Sequence, residues 1–108
     1  MQSMEEFKRN VTIGQIFRIT RIVNDYKMSD LAVFLGISKS AVSLIENARR
    51  GVNEKVLNKY LEHFGVERQA FDQVEREVTE ILFGKEVDMM KVSFLVVRML
   101  TEAKERAT

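Results

Sequence analysis

Apolar residues recur three and four positions apart along most of the chain, and few stretches alternate apolar with polar at a period of two. That is the spacing of helices with one buried side, and it predicts an all-α protein. A first helix is expected over residues 11–25, with Ile13, Ile16, Phe17, Thr20 and Val23 on one side and Gln15, Arg18 and Arg21 toward another. A short second helix is expected over 28–35, with Leu31, Ala32 and Leu35 inward. Gly36 ends it, because glycine accepts the left-handed conformation of a helix end. Ser38 is a good N-cap for a third helix over 39–47, which turns Val42 and Ile45 inward and leaves Lys39, Ser40, Ser43 and Leu44 outside. After a polar loop, Asn53 caps a fourth helix over 54–64, striped by Val56, Leu57, Tyr60, Leu61 and Phe64 and closed by Gly65. A fifth helix is expected over 68–83, with Phe71, Val74, Val78, Ile81 and Leu82 on one face, and a last one over 86–106.

Composition narrows the function more than the fold. With 108 residues, 45% hydrophobic and 31% charged, the chain has the size and balance of one folded domain with a short appendage. No cysteine is present, which excludes disulfides, thiol catalysis and the common structural zinc sites. A single histidine, His63, excludes a multi-histidine metal site or a histidine triad within one chain. No cofactor and no metal are expected, nor an enzyme: no acid–base pair, activated nucleophile or phosphate-cradling loop is visible. Ser43 has no base beside it, His63 reads as an ordinary surface or half-buried residue, and Asp72, Glu75, Glu77 and Glu80 read as a solvated helix face. No apolar run approaches the ~20 residues of a bilayer span. Glu5 and Glu6 stand where a signal peptide needs its apolar stretch, so a cytoplasmic protein is expected. The net charge of +1 is unevenly spread: residues 8–68 hold eleven bases against six acids, whereas residues 69–108 hold six against eight. A basic segment joined to a mildly acidic one suits a polyanion-binding head and a separate protein-contacting part.

The second and third helices are separated by Gly36-Ile37-Ser38, a three-residue glycine turn that sets two helices at a steep angle. This is the pattern of a helix-turn-helix, whose second helix stands out from the body and fits the major groove. In order and spacing, Ile13-Gly14, Phe17-Arg18, Arg21, Leu31-Ala32, Leu35-Gly36-Ile37-Ser38, Val42-Ser43, Ile45-Glu46-Asn47, Arg49-Arg50 and Phe64-Gly65-Val66 resemble the phage-repressor and Cro-like (XRE-type) helix-turn-helix family, over about half of the chain.

The resemblance implies a lambda-repressor-like head of four to five short helices over residues 10–66. A short N-terminal arm (1–9) precedes it and a C-terminal helical region for dimerisation (67–108) follows. It also implies double-stranded DNA as partner. Lys39, Ser40, Ser43 and Leu44 stand where the family reads base edges. Lys27, Met28, Asn47, Arg49 and Arg50 stand where it contacts phosphates. Arg21 and Glu46 match an ion pair between the first and third helices. Three departures stand out. Met28 replaces a frequent phosphate-binding glutamine, and Lys27 the usual Ser or Thr cap. Ala48 replaces a frequent glycine, which raises the expectation of a shifted turn before Arg49 and Arg50.

The last helix has apolar residues on more than one side. Val87, Met90, Phe94, Val97 and Leu100 form the stripe expected to dimerise, with Val92, Leu95, Val96, Met99 and Ala103 elsewhere. A membrane role is not expected, because its Lys and Arg do not gather on one polar face. Two functions follow as expectations. One is a sequence-specific transcription regulator, a homodimeric repressor on an inverted-repeat operator. The other is an antitoxin- or antirepressor-like module whose C-terminal helices bind a regulatory protein partner.

Overall fold

The computed structural model describes residues 2–108 and contains six helices: α1 (Met4–Val23), α2 (Met28–Leu35), α3 (Lys39–Glu46), α4 (Glu54–Phe64), α5 (Arg68–Leu82) and α6 (Met89–Ala107). The first begins seven residues before its expected start. Ser3 Oγ accepts from the Glu6 amide at 3.1 Å, and Glu5 and Glu6 sit in the first turn, where a carboxylate favours the positive end of the helix dipole. Residues 4–9 are therefore helix, and the expected arm over 1–9 is corrected from Met4 onward. Two side chains of α1 also change places with expectation. Val23 is 49% exposed at the frayed end, and Ile19 is buried instead.

The short helices are cut by their caps. Ser38 Oγ accepts from the Ala41 amide at 3.0 Å, and Asn53 Oδ1 from the Val56 amide at 2.9 Å. Lys27 has no acceptor to offer α2. Asp30 does the work in reverse, its Oδ2 taking the Lys27 amide at 2.8 Å. Gly36 ends α2 at φ +68°, and α2 and α3 meet at 103°, within the range of a helix-turn-helix.

A single cluster of buried side chains runs from Ile13 through Tyr60 and Val66 to Phe71, Val96 and Ala103. Buried side chains on both sides of the expected boundary between 66 and 67 thus belong to one core. Tyr60 lies at the centre, fully buried. Its ring stacks on Phe17 of α1 at 4.6 Å and meets Phe71 of α5 edge-on at 5.6 Å. Its hydroxyl lies 2.8 Å from Thr20 Oγ1, which itself donates to the Ile16 carbonyl at 2.7 Å. The single threonine proton is spent on that carbonyl, so Tyr60 is the donor. A second hydroxyl pair, Thr12 to Thr79 at 2.7 Å, ties α1 to α5. No buried side-chain polar atom among the described residues lacks a partner.

On α6 the buried stripe is Val92, Leu95, Val96, Met99, Leu100 and Ala103. Leu100 is 7% exposed and is corrected from the dimerisation stripe to the core. The other four members of that stripe face solvent: Met90, Phe94 and Val97 on α6, and Val87 in the loop before it, since the helix starts at Met89 and not at the expected residue 86.

The half of the molecule built on α2 and α3 hangs on how closely α3 approaches α1. A Cβ at Gly14 would lie 2.5 Å from the Ile45 carbonyl oxygen and 3.2 Å from that of Glu46, both immovable backbone atoms. In an exposed helix, Gly→Ala stabilises by about 1 kcal/mol. Here Gly14→Ala is expected to destabilise by roughly 1–3 kcal/mol, as overpacking does. Its denaturant midpoint should fall relative to wild type.

Candidate nucleic-acid interface

α3 packs against α1 and α2, and its outer side, with Lys39, Ser40 and Leu44, lies open to solvent; Ser43 beside them is half-buried. Leu44 is 40% exposed, an apolar contact held outward one turn after Lys39 and Ser40. All four side chains proposed from the sequence to read bases are therefore on one short rod.

The rod's orientation is locked from behind. Arg21 Nε donates to Glu46 Oε2 at 2.8 Å and Nη2 to Oε1 at 3.0 Å, a two-pronged pair that joins α1 to the last turn of α3. The Glu46 side chain is 1% exposed and that of Arg21 16%. Arg21 Nη1 also donates to the Tyr26 carbonyl at 3.2 Å, so the same guanidinium fixes the chain leading into α2. The bonds to Glu46 hold the Arg21 guanidinium even more firmly protonated than usual.

After α3 the turn is not shifted. Ala48 adopts the left-handed conformation at φ +59°, the Ala48 amide donates to the Ile45 carbonyl at 3.1 Å, and the Arg49 amide to that of Leu44 at 2.9 Å. These two bonds make the usual left-handed helix ending. Alanine takes the glycine's place at a cost of about 1–2 kcal/mol from its Cβ. Arg49 and Arg50 then project exposed from a loop seated on α1, where Asn10 Oδ1 would lie 2.6 Å from any Cβ at Gly51. Asn10 as a seat for this loop escaped the sequence reading. It lies 41 positions from Gly51 and belongs to no local pattern.

The remaining residues divide. Lys27 is exposed at the start of α2. Met28 is half-buried against the core, and its thioether has no proton to give a phosphate, so its side chain packs. Asn47 is exposed but its amide is engaged, Nδ2 donating to the Ser43 carbonyl at 2.8 Å. Ion pairs among the described residues take up Arg9, Arg21, Arg68 and Arg106. Lys27, Lys39, Arg49 and Arg50 are exposed, at the start of α2, on α3 and in the loop after it, and form no ion pair among the described residues. Unpaired bases around a protruding helix are what a phosphate backbone neutralises.

Two short helices at a steep angle, the second exposed and flanked by free bases, define a helix-turn-helix protein. A family model described as helix-turn-helix matches residues 17–71, half of the chain, and the chain belongs to the XRE-type, Cro-like helix-turn-helix family. It is a DNA-binding transcription regulator of that type. No curated protein and no solved structure matches it.

Two substitutions test this geometry. Ala48→Gly should stabilise the fold by roughly 1 kcal/mol by relieving the left-handed alanine, raising the melting temperature by about 3–6 °C. Arg21→Met leaves the buried Glu46 carboxylate unpaired and should cost about 3–5 kcal/mol, read by chemical denaturation.

Proposed function

We propose that the protein is a sequence-specific repressor that acts in the cytoplasm as a homodimer on an inverted-repeat operator. The observation that carries the reading is the open outer face of α3, presented at 103° to α2, with exposed Lys39 on it and exposed Arg49 and Arg50 in the loop that follows. The major groove admits one such helix, and base edges there differ for all four pairs. Lys39 reaches a guanine edge, Ser40 and Ser43 serve as adaptable donors or acceptors, and Leu44 meets a thymine methyl. Lys27, Arg49 and Arg50 hold the phosphates on either side and set the register. Arg21 and Glu46 touch no base. They keep the reading helix at its angle, so their part is orientation.

Two copies are favoured because one short helix reads only a few base pairs, whereas a twofold pair reads two half-sites with doubled binding energy. A dimer seated on such a site covers about two helical turns and excludes other proteins from them, which favours repression by occupancy.

Selection of bound duplexes from a random pool should return an inverted repeat. Lys39→Ala with Ser40→Ala should erase the preference for that sequence and leave weak, nonspecific binding. Unchanged preference in the double variant would disprove the reading surface. With Lys27, Arg49 and Arg50 each on a phosphate in both copies, the logarithm of affinity should fall with the logarithm of salt at a slope of about −5. Arg50→Ala should flatten that slope by about 2 without changing which sequence is preferred.

A further inference from the structure

Between the ends of α1 and α4 and the last turns of α6, a cleft of about 360 Å³ opens beside Tyr26, Phe64, Leu100 and Ala103. Small-molecule sites occupy about 300–1,000 Å³. One wall is aromatic. The Tyr26 ring lies 6.4 Å from both the Phe64 and the His63 ring, tilted to them by 42° and 58°. His63 is fixed in turn by stacking on Phe34 of α2 at 3.8 Å. Ala103 and Ala107, one turn apart on α6, are too small to fill the space.

The polar groups on this lining are mostly acceptors. Asn24 caps α1 and its Nδ2 donates back to the Thr20 carbonyl at 2.8 Å, which leaves its amide oxygen over. Gly65 ends α4. There the Val66 and Gly65 amides take the Leu61 and Glu62 carbonyls, and those of His63 and Phe64 are the last of the helix. Both helices thus bring the negative ends of their dipoles to the cleft. Glu62 adds an exposed carboxylate that forms no ion pair among the described residues. Lys104, the one lysine or arginine on the lining, is exposed and equally unpaired.

We propose that this cleft binds a small primary ammonium with an aromatic or alkyl body, and that the bound cation tightens the protein's hold on DNA. The second part rests on the DNA-reading function proposed above. An ammonium brings three donors to a lining short of them, and aromatic faces attract its charge. A carboxylate of the same size meets Glu62 and two negative helix ends, while a neutral molecule leaves acceptors unpaired.

The link to α3 runs through Tyr26. Its amide donates to the Arg21 carbonyl at 2.9 Å, and its carbonyl accepts from Arg21 Nη1 at 3.2 Å. The same guanidinium holds Glu46 at the end of α3. The cleft is open in the arrangement where that pair is closed. A ligand packed on Tyr26 there favours this arrangement over any in which the entry to α2 and the end of α3 come loose. The effect is reciprocal: DNA tightens the binding of the cation by the same factor.

Calorimetric titration of the full chain with phenethylamine, protonated at neutral pH, should show one saturable site with a dissociation constant of about 1 mM or below. Phenethyl alcohol and phenylacetate keep the ring and change only the charged group; both should bind at least about tenfold more weakly. Glu62→Gln, at an exposed position, should weaken the amine about fivefold, and Lys104→Gln should tighten it about threefold. On the selected operator duplex, saturating amine should strengthen binding about fivefold. Plain ionic screening has the opposite sign, since added cations weaken binding to DNA. Absence of a saturable site for the amine overturns the site. Equal binding of the alcohol or the carboxylate, or a Lys104→Gln variant that loses affinity for the amine, overturns the choice of a cation. A bound amine that leaves DNA binding unchanged or weaker overturns the coupling and spares the site. If the amine binds as described but no duplex is bound with or without it, the site stands, and the DNA-reading function and the coupling fall together.

Discussion

The crossing of α1 over the end of α3 is the constraint on which the helix-turn-helix depends. Gly14 brings the two backbones into contact at the Ile45 carbonyl. Two turns further along, Arg21 grips Glu46 with both prongs of its guanidinium. The first contact sets the distance between the helices and the second their rotation, since a planar fork satisfies a carboxylate in only one orientation. Neither contact touches the outer face of α3. The side chains on that face are free to vary in chemistry while the rod that carries them keeps its place.

The same α1 also carries the other half of the molecule. Its hydroxyl side meets Thr79 and Tyr60, and its aromatic Phe17 stacks on the Tyr60 ring. Burial pushes the Tyr60 phenol above its ordinary range, so it remains a neutral donor at any physiological pH. On the same face of this helix, one turn from the Thr12–Thr79 pair, Glu75 is half-buried and desolvation raises its carboxyl pKa, with Arg9 beside it at 3.6 Å drawing it back down. Residues that look like a solvated acidic face in the sequence thus include one that is partly enclosed, because the extra turns of α1 lie across it.

What the sequence makes legible is local. α2, α3 and α4 stand at or within one residue of the expected bounds, because Gly36, Ser38, Asn53 and Gly65 are cap residues whose chemistry acts within three or four positions. The early start of α1 was also readable, in the Ser3 to Glu6 spacing, but only two apolar residues, Met4 and Phe7, mark those turns and both stay exposed. The two stripes of α6 have equal claims by periodicity. Which one turns inward depends on α1 and α5, far away in the chain, and Leu100 lies at their border. The candidate interface divides in the same way. The placement of Lys39, Ser40 and Leu44 outside follows from helix periodicity. The burial of Met28, the engagement of the Asn47 amide and the seat that Asn10 gives to Gly51 depend on tertiary neighbours that no spacing encodes.

The shared core has a consequence for how such a chain is assembled and reused. Tyr60, Phe17 and Ile16 find their cover in part from Phe71 and α6. Severing the polypeptide after Val66 would strip the cover from the underside of α1, on which α3 is seated. This head is no transplantable cassette: evolution or an engineer wishing to graft it onto another body must bring α5 and α6 with it, or rebuild the underside of α1 from new side chains.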